Sequence, residues 1–247
     1  MIIYFEYIIR GNVEVIRLDK FLCEMEIGTR SYVKDLVKKG MVTVDGEVIK
    51  KADYKFDETA SKVCVREKEV SYQKFFYYML HKPAGVVSAT VDNHDKTVLD
   101  ILKDAPGKNL FPVGRLDKDT EGLLLITNDG ELSHNLLSPK KHVDKTYLVK
   151  TKVNVTKEMI QELEKGVDIG EENPTMPAKV ELLDDKELKL TIMEGKFHQV
   201  KRMLKAVENE VVYLKRLSMG TLRLDENLAL GEYRCLTVKE IEDLKKR

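Results

Sequence analysis

Residues 114–130 read GRLDKDTEGLLLITNDG, a stretch that joins a polar loop to a continuous apolar run. Four apolar residues in succession, 123–126, are typical of a β-strand that is buried on both faces. The loop before the run carries Asp117, and Gly114 and Gly122 on either side of it allow the backbone to pass close to its neighbours. The stretch therefore predicts a carboxylate held in a loop at the start of a buried strand.

A loop carboxylate such as Asp117 can serve as a nucleophile, a general base or a metal ligand. The nearby acids Asp119, Glu121 and Asp129 add the alternative of a magnesium site, whereas an isolated loop aspartate most often caps a turn or a helix. The residues alone leave these alternatives open. Metal ligation by histidine or cysteine has less support, because the five histidines and three cysteines have no paired spacing.

The chain has 247 residues, of which 43% are hydrophobic and 34% charged, which allows a sizeable core in one large or two unequal domains. No apolar run approaches the roughly 20 residues that a membrane-spanning helix needs. The first nine residues lack the cationic start of a secretory signal, and three distant cysteines rule out a disulfide framework. We expect a cytoplasmic protein without a membrane partner.

Cations and acids balance in the whole chain, 42 of each, but they are segregated along it. Residues 196–223 carry seven cations and two acids, residues 140–157 six cations and one acid, and residues 158–187 ten acids and three cations. Because salt screens charges beyond about 8–10 Å, the two basic segments can bind phosphates whatever the total charge. The alternative for each segment is a charge run that only solvates an outer face.

Residues 17–50 predict two helices followed by a small hairpin. Apolar residues recur at helical spacing over residues 18–25, and Thr29 can cap a second helix that Gly40 ends. Asp45-Gly46 then supplies the turn of the hairpin. The second helix carries a basic stripe, which consists of Arg30, Lys34, Lys38 and Lys39.

This region, RLDKFL at 17–22 with GTRSYVKDLVKKGMVTVDGEVIK at 28–50, closely resembles the small RNA-binding domain of the ribosomal protein S-four type. The resemblance implies that the basic stripe and the hairpin rest on structured RNA. A basic, solvated helix in an unrelated small domain is the alternative.

The remaining chain alternates predicted strands and helices. We predict an α+β fold, with a small N-terminal RNA-binding domain followed by a larger domain built on a mixed or antiparallel sheet. The predicted boundaries are residues 16–69 for the small domain, 70–75 for a polar linker and 76–247 for the larger domain. Residues 1–15 form an extension of doubtful role. One hypothesis is that residues 1–12 lie upstream of the true start, with Val13 read from a GTG codon, which the intact mass of the native protein tests.

The loop at 114–130 resembles the signature loop of the pseudouridine synthases, in the branch that acts on bacterial small-subunit ribosomal RNA. Three further stretches agree with that family in the same order: LHKPAG at 80–85, KTY at 145–147 and EGKFHQVKRM at 194–203. Together with the N-terminal domain, the resemblance covers nearly the whole chain after about Arg17. It implies a catalytic domain with a central cleft.

The resemblance also implies roles for individual residues. Asp117 corresponds to the catalytic aspartate, Tyr147 to a tyrosine that stacks on the target uracil and takes part in proton removal from C5, and Lys201 to the basic residue that pairs with the aspartate. Arg115 corresponds to a residue close to the flipped nucleotide. We expect further RNA contacts from His198, Gln199 and Arg202.

The implied activity is isomerisation of a specific uridine in bacterial small-subunit (16S) ribosomal RNA. The base is detached at N1, turned, and rejoined to the ribose through C5, after the nucleotide has left its stack. This needs no redox step and no second substrate, so we expect no cofactor and no metal. Asp117 can attack C1′, add to C6 of the base or remove a ribose proton, and the sequence does not distinguish these routes.

Other functions compete with this one. A pseudouridine synthase of large-subunit (23S) ribosomal RNA and a catalytically silent ribosome-assembly protein that binds RNA are the main alternatives, and a carboxylate-based nucleosidase is a third. The expected partner is ribosomal RNA, either free or in a partly assembled small subunit. We expect a monomer.

Overall fold

The computed structural model describes residues 15–25, 27–58, 60–70 and 73–246. The chain divides into two compact units, Met1–Lys74 and Phe75–Arg247. The hypothesis of an upstream extension over residues 1–12, with a start at Val13, lies outside the described residues. In the described part of the chain, no helix is long and apolar enough to cross a bilayer.

The described residues of the N-terminal unit form two helices and six short strands. Thr29 precedes the second helix and its side chain accepts a hydrogen bond from the Tyr32 amide at 3.4 Å, which is the predicted cap. Both helices pack an apolar face, including Phe21 and Val33, into one core. The elements are β1 (Val15–Arg17), α1 (Leu18–Glu24), α2 (Arg30–Lys38), β2 (Val42–Val44), β3 (Glu47–Val48), β4 (Lys55–Asp57), β5 (Val63–Val65) and β6 (Lys68–Val70).

Two boundaries of this unit differ from those expected. Val15, assigned to the extension, lies in β1 opposite Asp57, and Val70, assigned to the linker, lies in β6 opposite Val63. Strands β3, β2, β5 and β6 form an antiparallel sheet in that order. The predicted linker begins one residue too early because β6 is an edge strand whose charged side chains face solvent, as those of a linker do.

The larger unit alternates strands and helices, as predicted. Its elements are β7 (Tyr77–Lys82), α3 (Val98–Ile101), β8 (Phe111–Pro112), β9 (Glu121–Thr127), α4 (Gly130–Leu137), a 3₁₀ turn (Pro139–Lys141), β10 (Lys145–Thr151), α5 (Lys157–Lys165), β11 (Lys179–Asp184), β12 (Glu187–Ile192), α6 (Gln199–Ala206), β13 (Val211–Met219), β14 (Leu222–Arg223), β15 (Tyr233–Cys235) and α7 (Val238–Lys245).

One mixed sheet organises this unit, in the strand order β11-β12-β10-β13-β9-β7-β15, which confirms the predicted sheet class. Among the described strands, β9 and β13 form the parallel pair and the other neighbours are antiparallel. The apolar run of β9 is buried on both faces, as expected. Leu124 and Ile126 belong to the core that contains residues of α5 and α6, while Leu123 and Leu125 belong to the core that contains residues of α4 and α7.

Gly122 sits where β9 meets β13. Its φ of +105° is in the region that favours glycine, and a Cβ atom there would lie 2.2 Å from the carbonyl oxygen of Arg216. The parallel pairing of the two strands therefore depends on a residue without a side chain. Because β13 also carries Arg216 into the functional cleft described below, Gly122 links the sheet to the site.

We expect Gly122→Ala to lower the free energy of unfolding by at least about 3 kcal/mol, because it adds a backbone collision to an unfavourable φ. Gly231→Ala is the matched control, since Gly231 has a φ of +83° and open space around it. It should cost only about 1 kcal/mol. Urea denaturation of both variants measures the difference, and equal losses would contradict a role for the close approach.

Candidate active site

A cleft opens beside the start of β9 in the larger unit. Its inner cavity has a volume of about 110 Å³, and an outer cavity of about 890 Å³ shares part of its lining. The shared residues include Arg115, Asp117, Lys145 and His198. Because the cavities share these residues, they form one cleft with an inner and an outer part. The position of the cleft agrees with the expectation of a central cleft.

Asp117 lies in this cleft and forms an ion pair with Lys201 of α6. The Lys201 Nζ atom is 2.9 Å from Asp117 Oδ2 and 2.6 Å from Asp119 Oδ1, so one ammonium group bridges two carboxylates. The expected pairing of residues 117 and 201 is therefore present. Asp117 has 23% of its side chain exposed, whereas Asp119 has 72% exposed. Asp117 is thus the carboxylate that faces the partly enclosed site.

The charges around Lys201 favour the ionised forms of the groups. The hydrogen bond from Lys201 lowers the pKa of Asp119 against the opposing effect of burial. Burial acts to lower the pKa of Lys201, but the hydrogen bonds to Asp119 and Asp117 outweigh it and the pKa is raised. Lys201 is therefore a stable cation beside Asp117.

His198 approaches the same carboxylate from the other side, with Nε2 3.5 Å from Asp117 Oδ1. Its backbone is left-handed, with φ of +48°, at the residue that precedes α6. The ring stacks on Phe197, with centroids 3.8 Å apart and planes at 19°. Phe197 is 73% exposed and lines the outer cavity. A strained backbone at a cleft is typical of functional positions.

Tyr147 lies on β10 and lines the inner cavity. It is 8% exposed, and its hydroxyl group has no hydrogen-bond partner among the described residues. Its cross-strand neighbour on β13 is Arg216. The ring therefore offers an apolar face to the cleft together with a hydroxyl group that the described protein does not use.

The other expected contact residues divide into two groups. Arg115 is exposed, lines both cavities and has no ion pair in the described part of the chain. Gln199 is buried and donates to Glu194, and Arg202 donates to Glu171 and to the carbonyl oxygens of Phe197 and Ile169. These internal bonds shape the turn before α6. An RNA contact by Gln199 or Arg202 stays a prediction.

Lys82 holds the loop of Asp117 in place, which the sequence reasoning did not foresee. The side chain is fully buried, and Nζ donates to the carbonyl oxygens of Thr120 at 2.8 Å, Pro83 at 3.0 Å, Asp117 at 3.1 Å and Lys118 at 3.4 Å. Burial lowers its pKa to about 8. A lysine at the end of a mostly apolar strand, just before a turn, was the available signal.

Two further buried cations line the inner cavity, Lys145 of β10 and Arg216 of β13. Burial and, to a smaller extent, the positive charge of Arg216 lower the pKa of Lys145 from 10.5 to about 8, against the opposing effect of Asp144. Neither residue was assigned a role from the sequence, although Lys145 stands in the KTY motif. Their meeting depends on the pairing of β10 with β13, which the sequence does not show.

The acids near Asp117 do not form a metal site. Glu121 accepts a hydrogen bond from the Tyr213 hydroxyl at 2.7 Å. Asp129 caps α4 through the Leu132 amide and accepts from the Tyr77 hydroxyl. Within the described ranges, no group of three or more His, Cys, Asp or Glu side chains is arranged to hold a metal ion. The geometry gives no support to the magnesium alternative.

The basic stripe faces solvent on α2 of the N-terminal unit and on Lys39, the residue that follows this helix. Lys39 forms an ion pair with Asp35 at 2.7 Å. The other three cations, Arg30, Lys34 and Lys38, make no ion pair in the described part of the chain. Exposed cations without carboxylate partners are suited to phosphate groups.

Two protein families match this chain. Residues 76–206 match the RNA pseudouridylate synthase family, and residues 16–60 match the S4 domain. The chain is 51% identical over 230 residues to an uncharacterized RNA pseudouridine synthase of Bacillus subtilis, which covers 91% of this chain and 96% of that protein. It is 42% identical over 231 residues to ribosomal small subunit pseudouridine synthase A of Vibrio cholerae, with coverage of 92% and 99%.

A solved structure is also similar. The crystal structure of a pseudouridylate synthase shares 39% sequence identity with this chain at a TM-score of 0.66. The match covers 93% of this chain and 99% of the other. The likeness therefore extends over both units of the chain.

Lys145 allows a test of the electrostatics of the cleft. The unfolded amine keeps its proton up to about pH 10.5, whereas the folded protein releases it near pH 8. The unfolded state thus binds more protons between these values, and the free energy of unfolding rises with pH there. We expect the difference in this free energy, wild type minus Lys145→Met, to rise by about 2 kcal/mol from pH 7 to pH 9.5.

Urea denaturation at the two pH values gives this difference. Lys140→Met is the matched control, because Lys140 is an exposed lysine of the same unit, and its difference should not change with pH. The same flat result for Lys145→Met would mean that the lysine is not desolvated.

Proposed function

This chain belongs to the RNA pseudouridylate synthase family, among relatives named ribosomal small subunit pseudouridine synthase A, and we propose that it converts one specific uridine of bacterial 16S ribosomal RNA to pseudouridine. It is an RNA pseudouridine synthase with an S4 domain, so the family resemblance of its motifs is confirmed. The observation that carries the proposed site is the pairing of Asp117 with Lys201 in a cleft beside the buried ring of Tyr147.

We assign Asp117 the role of catalytic nucleophile or base. Among the described residues, the inner cavity is lined by five lysine and arginine side chains and by one carboxylate, that of Asp117. Lys201 keeps a positive charge within 2.9 Å of this carboxylate, which favours the ionised form that a nucleophile or base requires. Attack at C1′, addition at C6 and removal of a ribose proton all begin from that form.

We assign Tyr147 a role in binding the uracil base of the target nucleotide. A flipped uridine loses its stacking neighbours at a cost of a few kcal/mol, and an aromatic face in the cleft offsets part of that cost. The hydroxyl group of Tyr147 has no partner in the described protein and can take part in the removal of the C5 proton that completes the isomerisation. The side chain would thus position the ring and serve the last step.

RNA outside the target nucleotide would meet both units. Arg115, His198 and the exposed ring of Phe197 line the outer cavity, where neighbouring nucleotides can bind. The three unpaired cations of the basic stripe offer phosphate contacts in the N-terminal unit. We propose that residues 16–69 bind RNA and residues 76–247 catalyse, and that the protein acts as a cytoplasmic monomer.

The 16S assignment is tested by the modified RNA itself. The protein is incubated with 16S RNA, 23S RNA and partly assembled small subunits from a strain that lacks it, and pseudouridine is mapped chemically. A new site in 16S RNA or in the particles supports the proposal. A new site in 23S RNA alone overturns the 16S assignment, and no new site in any RNA favours a silent assembly protein.

Asp117→Asn should lower the rate of isomerisation by at least about 10³-fold, because the amide is neither a nucleophile nor a base. RNA affinity should stay within about threefold, since the exchange keeps the shape of the side chain. Asp119→Asn is the matched control, because it also contacts Lys201 but is mostly exposed, and it should keep the rate within about tenfold. Equal losses in both variants would contradict the assignment of Asp117.

Removal of the basic stripe should weaken RNA binding and its dependence on salt. For the variant Arg30→Gln with Lys34→Gln and Lys38→Gln, we expect the slope of log affinity against log salt to fall by roughly 2 to 3. Lys20, Lys50 and Lys51, changed together to Gln, are the control with the same change in charge, and their slope should fall less. Filter binding at several salt concentrations measures both, and equal slopes would exclude a specific role of the stripe.

A further inference from the structure

We propose that Lys145 and Arg216 are catalytic residues that bind the carbonyl oxygens of the target uracil and stabilise the negative charge that the ring acquires during isomerisation. This inference rests on the proposed function, because it concerns the base that Asp117 and Tyr147 would process. It assigns a task to two residues that the sequence motifs leave without one.

The two cations lie on the same side of the sheet as Tyr147. Lys145 precedes Tyr147 by two residues on β10, and alternate residues of a strand face the same side. Arg216 is the cross-strand partner of Tyr147 on β13. All three line the inner cavity, so a base that stacks on Tyr147 has both cations within the same enclosed space.

Both cations have donors that the described protein leaves unused. Arg216 is 2% exposed, its Nε donates to the Leu123 carbonyl oxygen at 2.7 Å, and its Nη2 is buried without a partner. Lys145 is 7% exposed, and its Nζ donates to the Val143 carbonyl oxygen at 2.9 Å. Neither side chain forms an ion pair with a described carboxylate.

Such an arrangement costs stability. Buried charges are normally paired, and two cations near each other raise the cost, which is visible in the lowered pKa of Lys145. Buried donors without acceptors are expected where a ligand supplies the acceptor. The ligand that fits two cations in an enclosed, aromatic-walled cavity is a planar group with electron-rich oxygens.

The chemistry of the reaction produces that group. When the C1′–N1 bond breaks, its electron pair stays with the uracil and spreads over N1, O2 and O4. If Asp117 adds to C6 first, the electrons of the C5=C6 bond move to O4. Every route therefore places negative charge on the carbonyl oxygens, where positioned cations act most strongly in a water-poor site.

The same pair serves both halves of the reaction. Turning the ring about the line through N3 and C6 exchanges N1 with C5 and also O2 with O4. A cation that binds one carbonyl oxygen in the substrate can therefore bind the other after the turn. The C1′–C5 bond then forms with the ring's electron pair, C5 loses its proton and N1 gains one, so the composition of the nucleoside is unchanged.

The test compares wild type with Lys145→Met and Arg216→Met on the target RNA, in single turnovers with enzyme in excess. We expect each variant to lose about 10²-fold in rate, as when one donor to a developing anion is removed. The affinity for RNA should stay within about threefold. Lys145→Arg and Arg216→Lys keep the charge and should recover at least about tenfold of the loss.

A substrate with 5-fluorouridine at the target distinguishes charge stabilisation from a structural role. Fluorine itself stabilises a uracil anion, so 5-fluorouridine depends less on the two cations than uridine does. Nucleoside chromatography follows the disappearance of 5-fluorouridine. The fold-loss in rate that a variant shows with 5-fluorouridine should be at least about fivefold smaller than its fold-loss with uridine. A merely structural defect would slow both equally, and this result would overturn the inference.

Two other results would also overturn it. Unchanged rates would mean that Lys145 and Arg216 have no role in catalysis. A loss confined to RNA affinity would mean that the two cations bind a phosphate group rather than the uracil. If Arg216→Met fails to fold, as judged by its thermal transition, Lys145→Met decides, since it removes a cation that is costly to bury. A wild-type protein that converts no uridine defeats the proposed function and this inference together, whereas active wild type with equally active variants defeats the inference alone.

Discussion

The site depends on one buried ammonium group. Lys82 reaches the carbonyl oxygens of the loop that carries Asp117 and holds them from within the protein. A loop without regular hydrogen bonding is normally mobile, because few contacts restrict it. Here the ammonium group of Lys82, together with the hydrogen bonds from the Gly85 amide to Lys118 and from the Thr120 amide to Asp117, restricts the loop, so that Asp117 has a fixed place in the cleft. A point charge suits this task because it binds oxygens in several directions at once.

The sequence predicted most of what local interactions determine. The cap at Thr29 depends on two residues three apart in the sequence, and the buried β9 depends on one apolar run. Motif resemblance placed Asp117 and Lys201 together. The sequence did not reveal that Arg216 lies opposite Tyr147. The two residues are far apart in the sequence, and only the pairing of β10 with β13 brings them together. The prediction also placed Val70, the last residue of β6, in the linker, because the exposed edge strand has the composition of a linker.

The positions of the charged residues, rather than the net charge, indicate what the protein binds. A net charge of zero, taken alone, argues weakly against a nucleic-acid partner, yet the inner cavity has five cations and one carboxylate in its lining. The balancing acids are concentrated elsewhere in the sequence, notably over residues 158–187. Lys145 and Arg216 are buried, so they add little to the surface potential but much to the potential inside the cleft, where less water screens them. The neutral chain thus has two kinds of positive site, the exposed basic stripe and the enclosed inner cavity.

The close approach of β9 and β13 has a consequence for the order in which the protein folds. Arg216 donates to the carbonyl oxygen of Leu123 across 93 residues of sequence, so the cleft closes only after most of the chain has left the ribosome. The strand pairings that the structure describes in the N-terminal unit lie within residues 15–70. Because domains generally fold in the order of synthesis, this unit can complete its core while the catalytic unit is still being made. An RNA-binding surface would then exist on the nascent chain before any catalytic centre does.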